Sequence, residues 1–179
     1  SVITFRRGRV LLKQVILAKL DVAQVAGRAK AEISAYGEDP EQIAVDTIGI
    51  GAGVADMMRA WYPDRIDRRT GQRTPVVVDV NASLRMSNGE DYNMRAFMWR
   101  EMREWLKSAS ILNDQDLKTD LTALRYGFKG GELLLESKDD AKRRGVKSPD
   151  RGDSLALTFA IPTIVRSERV QTLPAFQPS

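Results

Sequence analysis

The stretch Ile43-Ala44-Val45-Asp46-Thr47-Ile48-Gly49-Ile50-Gly51-Ala52-Gly53-Val54-Ala55-Asp56 constrains this chain more than any other. A short aliphatic run ending in a polar residue reads as a buried strand, and the glycines behind it open a turn into a helix reaching about Trp61. A buried strand followed at once by a helix is the unit of a layered α/β domain. Ligands of open α/β sheets bind at the carboxyl ends of strands, which makes Asp46 a candidate site residue. It suits a loop cap equally well. Three glycines at this spacing could hold a phosphate at a helix N-terminus, although neither G-x-G-x-x-G nor a G-x-x-x-x-G-K-[ST] loop is present.

The rest of the chain supplies the layers. Ser1 to Phe5 and Arg9 to Leu20 are rich in Val, Ile and Leu and flank Arg7-Gly8-Arg9, which predicts an antiparallel hairpin. Val22, Val25, Ala26, Ala29, Ile33 and Tyr36 keep helical spacing up to Gly37, a natural stop. Positions 62–74 read as a polar loop, Pro75 to Val80 as a second buried strand, and Asn93 to Lys107 as a long helix. The apolar stripe of that helix is Met94, Phe97, Met98, Met102, Trp105 and Leu106. A helix from Asp114 to Leu124 follows, with Asp116 and Asp120 as solvated charges, as is Glu104 on the helix before it. Then comes a hairpin across Lys129-Gly130-Gly131 and a short basic helix at 139–145. The expectation is one α/β domain over 1–165, a mixed sheet with an antiparallel hairpin at one side and helices on both faces. A flexible tail is expected over 166–179, which carries Pro174 and Pro178.

A second acidic site lies in Ser148-Pro149-Asp150-Arg151-Gly152-Asp153-Ser154-Leu155. Pro149 should stop what precedes it, Asp150 can cap a helix, and the run from Ser154 to Ile164 is apolar enough to be its body. Asp150 and Asp153 then project from one side of a helix N-terminus, where the macrodipole favours negative charge. This is either half of a divalent-metal site or an acidic helix start without a ligand. The chain has no cysteine and no histidine, which closes thiolate and imidazole chemistry: no Ser-His-Asp triad, no cysteine nucleophile, no zinc site of the usual kind. Metal chemistry here must use oxygen ligands, which suits magnesium, manganese or calcium. The net charge is +4, and Lys138, Lys142, Arg143, Arg144, Lys147 and Arg151 cluster around the Asp150 motif. Cations beside carboxylates fit a phosphodiester ligand, which needs both an electropositive approach and metal-holding anions.

Taken together, the Asp46 stretch, Asn93-Met94-Arg95-Ala96-Phe97-Met98-Trp99, Leu135-Glu136-Ser137-Lys138-Asp139-Asp140-Ala141-Lys142 and Ser148 through Ala156 resemble, in order, the nuclease domain of the large terminase subunit of tailed bacteriophages, an RNase H-like fold. The resemblance implies a DNA endonuclease that cuts concatemeric double-stranded viral DNA with two magnesium or manganese ions. Asp46 matches the acidic residue ending the central strand. Asp150 matches the one opening the last helix, with Asp153 as ligand or neighbour. It also implies an ATPase motor domain in the same native chain, a small terminase subunit and a portal as partners, and work in the host-cell cytoplasm during virion assembly. One departure stands out. The family carries a further aspartate on a first strand, whereas no acidic residue here precedes Asp21, so the chain as given is expected to be slowed or inactive. A noncatalytic DNA-binding or docking module, and another RNase H-like enzyme such as a junction resolvase or transposase, remain the competing readings.

Overall fold

The structure, a computed structural model, describes residues 1–160. The expected tail from Arg166 lies outside them. Strand β1 (Val2–Arg7) pairs antiparallel with β2 (Val10–Ile16) across Gly8, whose φ of 51° lies in the left-handed region. Helix α1 (Val22–Tyr36) opens on a capping box. The Asp21 carboxylate accepts from the Gln24 N–H at 2.8 Å and the Gln24 side chain accepts from the Asp21 N–H at 3.0 Å. Gly37 closes it in the left-handed conformation, as the sequence predicts.

Strand β3 (Ile43–Asp46) leads into α2 (Gly51–Trp61). The segment expected to be a plain loop holds a small antiparallel pair, β4 (Arg65–Ile66) and β5 (Arg73–Thr74). Its turn is organised by the Asp67 side chain, which accepts from the Arg69 and Thr70 N–H groups at 2.7 and 3.0 Å, a local bond that hydrophobic periodicity does not register. Strand β6 (Val77–Val80) then runs parallel to β3 with Asp46 opposite Val80. Helix α3 (Met94–Leu106), capped by Asn93, and α4 (Gln115–Ala123), capped by Asp114, follow. The hairpin of β7 (Tyr126–Lys129) and β8 (Glu132–Leu135), the short α5 (Lys138–Arg143) and α6 (Asp150–Leu157) complete the described chain.

Side chains alternate across the strands and feed two cores. Ile3, Phe5, Val15, Ile43, Val45 and Val77 meet Val25, Ala26 and Ile33 of α1 and Val54, Ala55 and Met58 of α2. Leu11, Ala44 and Val80 face the other way, against Met98, Trp99, Met102 and Trp105 of α3, Leu117 of α4, and Leu155 and Ala156 of α6. Helices therefore cover both faces, as expected. Trp99 and Ala96 are buried on α3 although the predicted stripe omits them. The buried face is turned toward α6, because Trp99 packs against the bare backbone of Gly152.

Helix α6 spans two strand pairs, packing on both β1 and β3. Ser1 and Leu17 exchange both backbone hydrogen bonds, so the polar groups of Val2 and Thr4 point away from β2. There the Ser154 hydroxyl meets the Val2 carbonyl at 3.0 Å and the Thr4 hydroxyl at 2.7 Å. On β3, Ile43 and Thr47 donate to β6, which turns the backbone of Ala44 and Asp46 outward. Among the described residues β1 and β3 each pair with one strand only.

Candidate metal and nuclease site

Asp46 ends β3 on its exposed side, and its Oδ1 accepts from the Ile48 N–H at 3.2 Å. That bond is the loop cap allowed by the sequence, and among the described residues Oδ2 has no hydrogen bond. Two of the glycines after Asp46 serve close packing. A Cβ on Gly51 would overlap the Asp46 carbonyl oxygen and one on Gly53 would stand 2.9 Å from Val22 Cγ1, so these glycines let α2 pack directly on the strand end and on α1. Their spacing serves close packing, which the sequence pattern cannot distinguish from a phosphate loop.

Asp150 is exposed at the first position of α6 and does not act as the cap. Pro149 occupies that position and offers no side-chain acceptor. Asp150 Oδ1 accepts instead from the Ser148 hydroxyl at 2.6 Å. The cap comes from α4: Asp120 Oδ2 accepts from the Arg151 and Gly152 N–H groups at 2.8 and 3.1 Å. Asp120 is therefore not a solvated charge. Burial pushes its carboxyl above the usual range, the two backbone donors oppose this, and the negative charges of Asp150 and Asp153 add to it. Nothing in its spacing on α4 signals this role, since the helix it caps is remote in sequence.

Asp153 lies one turn further on and is partly buried. Its Oδ1 accepts from the Trp99 indole at 3.0 Å and from Arg95 Nε and Nη2 at 3.3 and 3.2 Å. Its Oδ2 is buried and has no hydrogen bond, with the Lys138 ammonium 3.1 Å away as an ion-pair partner. Arg95 connects this carboxylate to the strand end, because its N–H donates to the Ala82 carbonyl at 2.9 Å, two residues past the Val80 that pairs with Asp46. Arg95 thus joins the segment that follows β6 to the first turn of α6.

The predicted cations separate into two kinds. Lys142, Arg143 and Lys147 are exposed, with Arg143 bonded to its helix neighbour Asp140 at 2.8 Å. Arg144 and Arg151 are structural: Arg144 is paired with Glu136 and donates to the Ala123 carbonyl at 3.0 Å, and Arg151 pairs with Asp114 at 2.5 Å and Asp116 at 2.9 Å. A run of basic residues does not reveal which of them already hold an internal carboxylate.

The donor set suits a hard cation: carboxylate oxygens, one of them buried and short of a hydrogen bond. Among the described residues, however, no three carboxylates stand close enough to hold an ion by themselves.

We expect Asp120→Ala to lower stability by about 1 kcal/mol, the usual worth of a helix N-cap, while Asp120→Asn keeps an acceptor oxygen and the stability with it. Urea melts of both variants check this. Equal melts for the alanine and wild-type proteins would show that α6 needs no cap from α4.

No family model and no curated protein matches the chain. Solved structures do. The nuclease domain of the large terminase subunit gp2 of bacterial virus Sf6 superposes with a TM-score of 0.70 at 16% identity, covering 89% of this chain and 81% of that one. A point mutant of the same domain with manganese gives 0.70 at 17%, covering 89% and 82%, and one with calcium gives 0.70 at 16%, covering 89% and 81%. At these identities the likeness establishes the fold: this chain has the RNase H-like α/β architecture of that nuclease domain.

Proposed function

We propose that the chain is a metal-dependent endonuclease domain acting on double-stranded DNA, of the kind found in the large terminase subunit of a tailed bacteriophage. The observation that supports the reading is that α6, which carries Asp150 and Asp153, packs on both β1 and β3, the strand that Asp46 ends, on a fold shared with a viral nuclease domain. Asp46 and Asp150 would hold the ions, and Asp153, one turn after Asp150 on α6 with its Oδ2 short of a hydrogen bond, would serve as a further ligand or as their neighbour. The outward-turned backbone of Thr4 and Ala44 would leave edges along which a further strand could add once the Ser154 hydroxyl gave up the Val2 carbonyl, and such a strand would carry the additional aspartate that the resemblance implies.

Magnesium or manganese ions, two in the fullest form, would activate a water and stabilise the leaving oxygen of an in-line displacement. The chain's own residues do the rest. Ile48 N–H and the Ser148 hydroxyl orient the two carboxylates, while the Arg95 and Trp99 donors fix the rotamer of Asp153. Exposed Lys142, Arg143 and Lys147 supply attraction for phosphate. In a native assembly an ATPase motor, a small terminase subunit and a portal would be the partners, in the host cytoplasm. No helix of the described residues is long and apolar enough to cross a membrane.

The test is incubation of supercoiled plasmid with the protein and manganese or magnesium, with and without chelator. Cutting that depends on the metal supports the nuclease. Calcium is expected to be bound without supporting cutting, because its loose coordination organises an in-line attack poorly. A folded protein, supplied with the additional strand, that binds DNA and cuts under none of these metals would leave the docking-module reading in its place.

A separate expectation concerns the approach of DNA. Reversing Lys142, Arg143 and Lys147 together to glutamate should weaken binding to every sequence alike and flatten its salt dependence, since each phosphate contact contributes about one unit of slope. Arg144 is left intact in this variant because it holds Glu136. An unchanged affinity and slope would remove α5 and its C-terminal loop from the DNA surface.

A further inference from the structure

The most exposed large apolar side chains of the described residues are Tyr126 at 62% and Phe128 at 70%, both on β7. They are not a frayed piece of core. Opposite them on β8, Leu135 and Leu133 are partly buried, and Leu135 packs against the main core, so the hairpin is anchored through β8 while β7 stands out as an edge. Residues 126 and 128 fall on one face of the strand. Their rings form an edge-to-face pair with centroids 6.3 Å apart and planes at 86°, an arrangement that leaves at least one face of each ring open. An exposed aromatic edge strand invites aggregation, and a chain that keeps one normally has a use for it.

The surroundings say what it fits. Arg125, just before β7, and Lys129, at its end, are exposed on the face opposite the two aromatics, and the Lys129 ammonium donates to the Tyr92 hydroxyl at 2.9 Å. The base of the hairpin is tied to α5: the Arg125 N–H donates to Glu136 at 2.8 Å, the Glu136 N–H donates to the Arg125 carbonyl at 3.0 Å, and Arg144 bridges Glu136 to the Ala123 carbonyl. The aromatic edge therefore continues into the helix that presents Lys142 and Arg143. Open ring faces on an edge strand that adjoins a helix with exposed cations match a nucleic-acid strand, which brings flat bases and regularly spaced phosphates. A protein partner of ordinary composition does not call for that pairing of charges.

We propose that β7 is a base-stacking platform for unpaired or frayed DNA bases, with Tyr126 and Phe128 as the stacking residues and the exposed Lys142 and Arg143 of the adjoining α5 on the phosphates. The inference rests on the DNA-acting reading above and adds to it a second contact, one that recognises bases released from the duplex. The hairpin is built for this. Gly127 puts no side chain on the opposite face, and Gly130 and Gly131, at φ of 62° and 87°, close a turn too tight to crowd an incoming strand.

Stacking releases no counterions, so it and phosphate contacts separate in a salt titration. The experiment measures binding of a labelled single-stranded oligonucleotide and of its blunt duplex, in chelator to prevent cutting, for the wild-type chain, Tyr126→Ala, Phe128→Ala, and Tyr126→Trp with Phe128→Trp. Each alanine is expected to cost roughly tenfold in affinity for the single strand, much less for the blunt duplex, with the slope against salt unchanged and the tryptophan pair retaining wild-type affinity. Both side chains are exposed, so the melting temperature should not move. Wild-type affinity in the alanine variants overturns this inference alone, as does a concentration-dependent dimer that dissolves in Phe128→Ala while DNA binding stays intact. A wild-type chain that binds neither DNA overturns the reading beneath it as well.

Discussion

Asp46→Asn is expected to lower metal-dependent cutting by at least about 100-fold, the scale on which one group that stabilises developing charge contributes to an active site, with little change in thermal stability. The asparagine keeps the shape of the side chain and can still accept the Ile48 N–H with its amide oxygen, so the turn behind β3 survives. What it removes is a negative charge that offsets a dication, and with it the reason for an ion to settle at the strand end. Asp150→Asn should behave in the same way, because the Ser148 hydroxyl can still donate to the amide oxygen. The measurement is plasmid cutting under manganese, beside a melt with and without the ion. Wild-type protein should gain melting temperature from manganese, and both variants should lose that gain, since a ligand stabilises only the state that binds it. Full cutting by Asp46→Asn would place the chemistry on other residues. Retained cutting with a lost manganese shift would mean that the ion detected by melting is not the one that cuts.

The two acidic positions were legible because each sits at the end of a strongly patterned element. Asp46 closes a run of aliphatic residues and Asp150 follows a proline that halts the chain, so local sequence places both. Helix α1 was equally plain, with Asp21, Gln24 and Gly37 marking its ends by capping chemistry alone. What local sequence could not convey were the tertiary partners. Pro149 at the cap position leaves α6 with two N–H groups that another element must satisfy, and only the packing of α4 shows that Asp120 does so. Arg151 reads as one more cation of a basic run, yet Asp114 and Asp116 at the start of α4 already neutralise it. Asp91 is the extreme case. It sits between the strand ending at Val80 and the helix starting at Met94, where the pattern marks no element, but it is fully buried, and Arg100 reaches it with bonds at 2.8 and 3.0 Å. A buried carboxylate is tolerable only with such a partner, and the partner lies nine residues on, inside α3, in a direction that periodicity does not fix.

Gly51→Ala is expected to cost about 3 kcal/mol, at the upper end for overpacking a well-filled site, and to take the activity down with it. The added methyl would overlap the Asp46 carbonyl oxygen and come within 2.8 Å of the carbonyl carbon, with Val45 Cγ1 behind it at 3.7 Å. Those first two atoms are backbone in a strand held by the β6 ladder, so they cannot swing aside as the end of a side chain would. Either α2 slides away from the strand, opening the Val54, Ala55 and Met58 contacts that form one core, or Asp46 rotates out of register with Val80. Both routes move the candidate ligand. Gly53→Ala is the control: its methyl would meet Val22 Cγ1 at 2.9 Å, a side-chain end that can turn, so a smaller loss is expected there. Urea melts rank the two variants, and the manganese-induced shift in melting temperature reports the carboxylate. If Gly51→Ala melts with the wild type and keeps its manganese shift, the N-terminus of α2 does not rest on the end of β3, and the glycines after Asp46 need an explanation other than close packing.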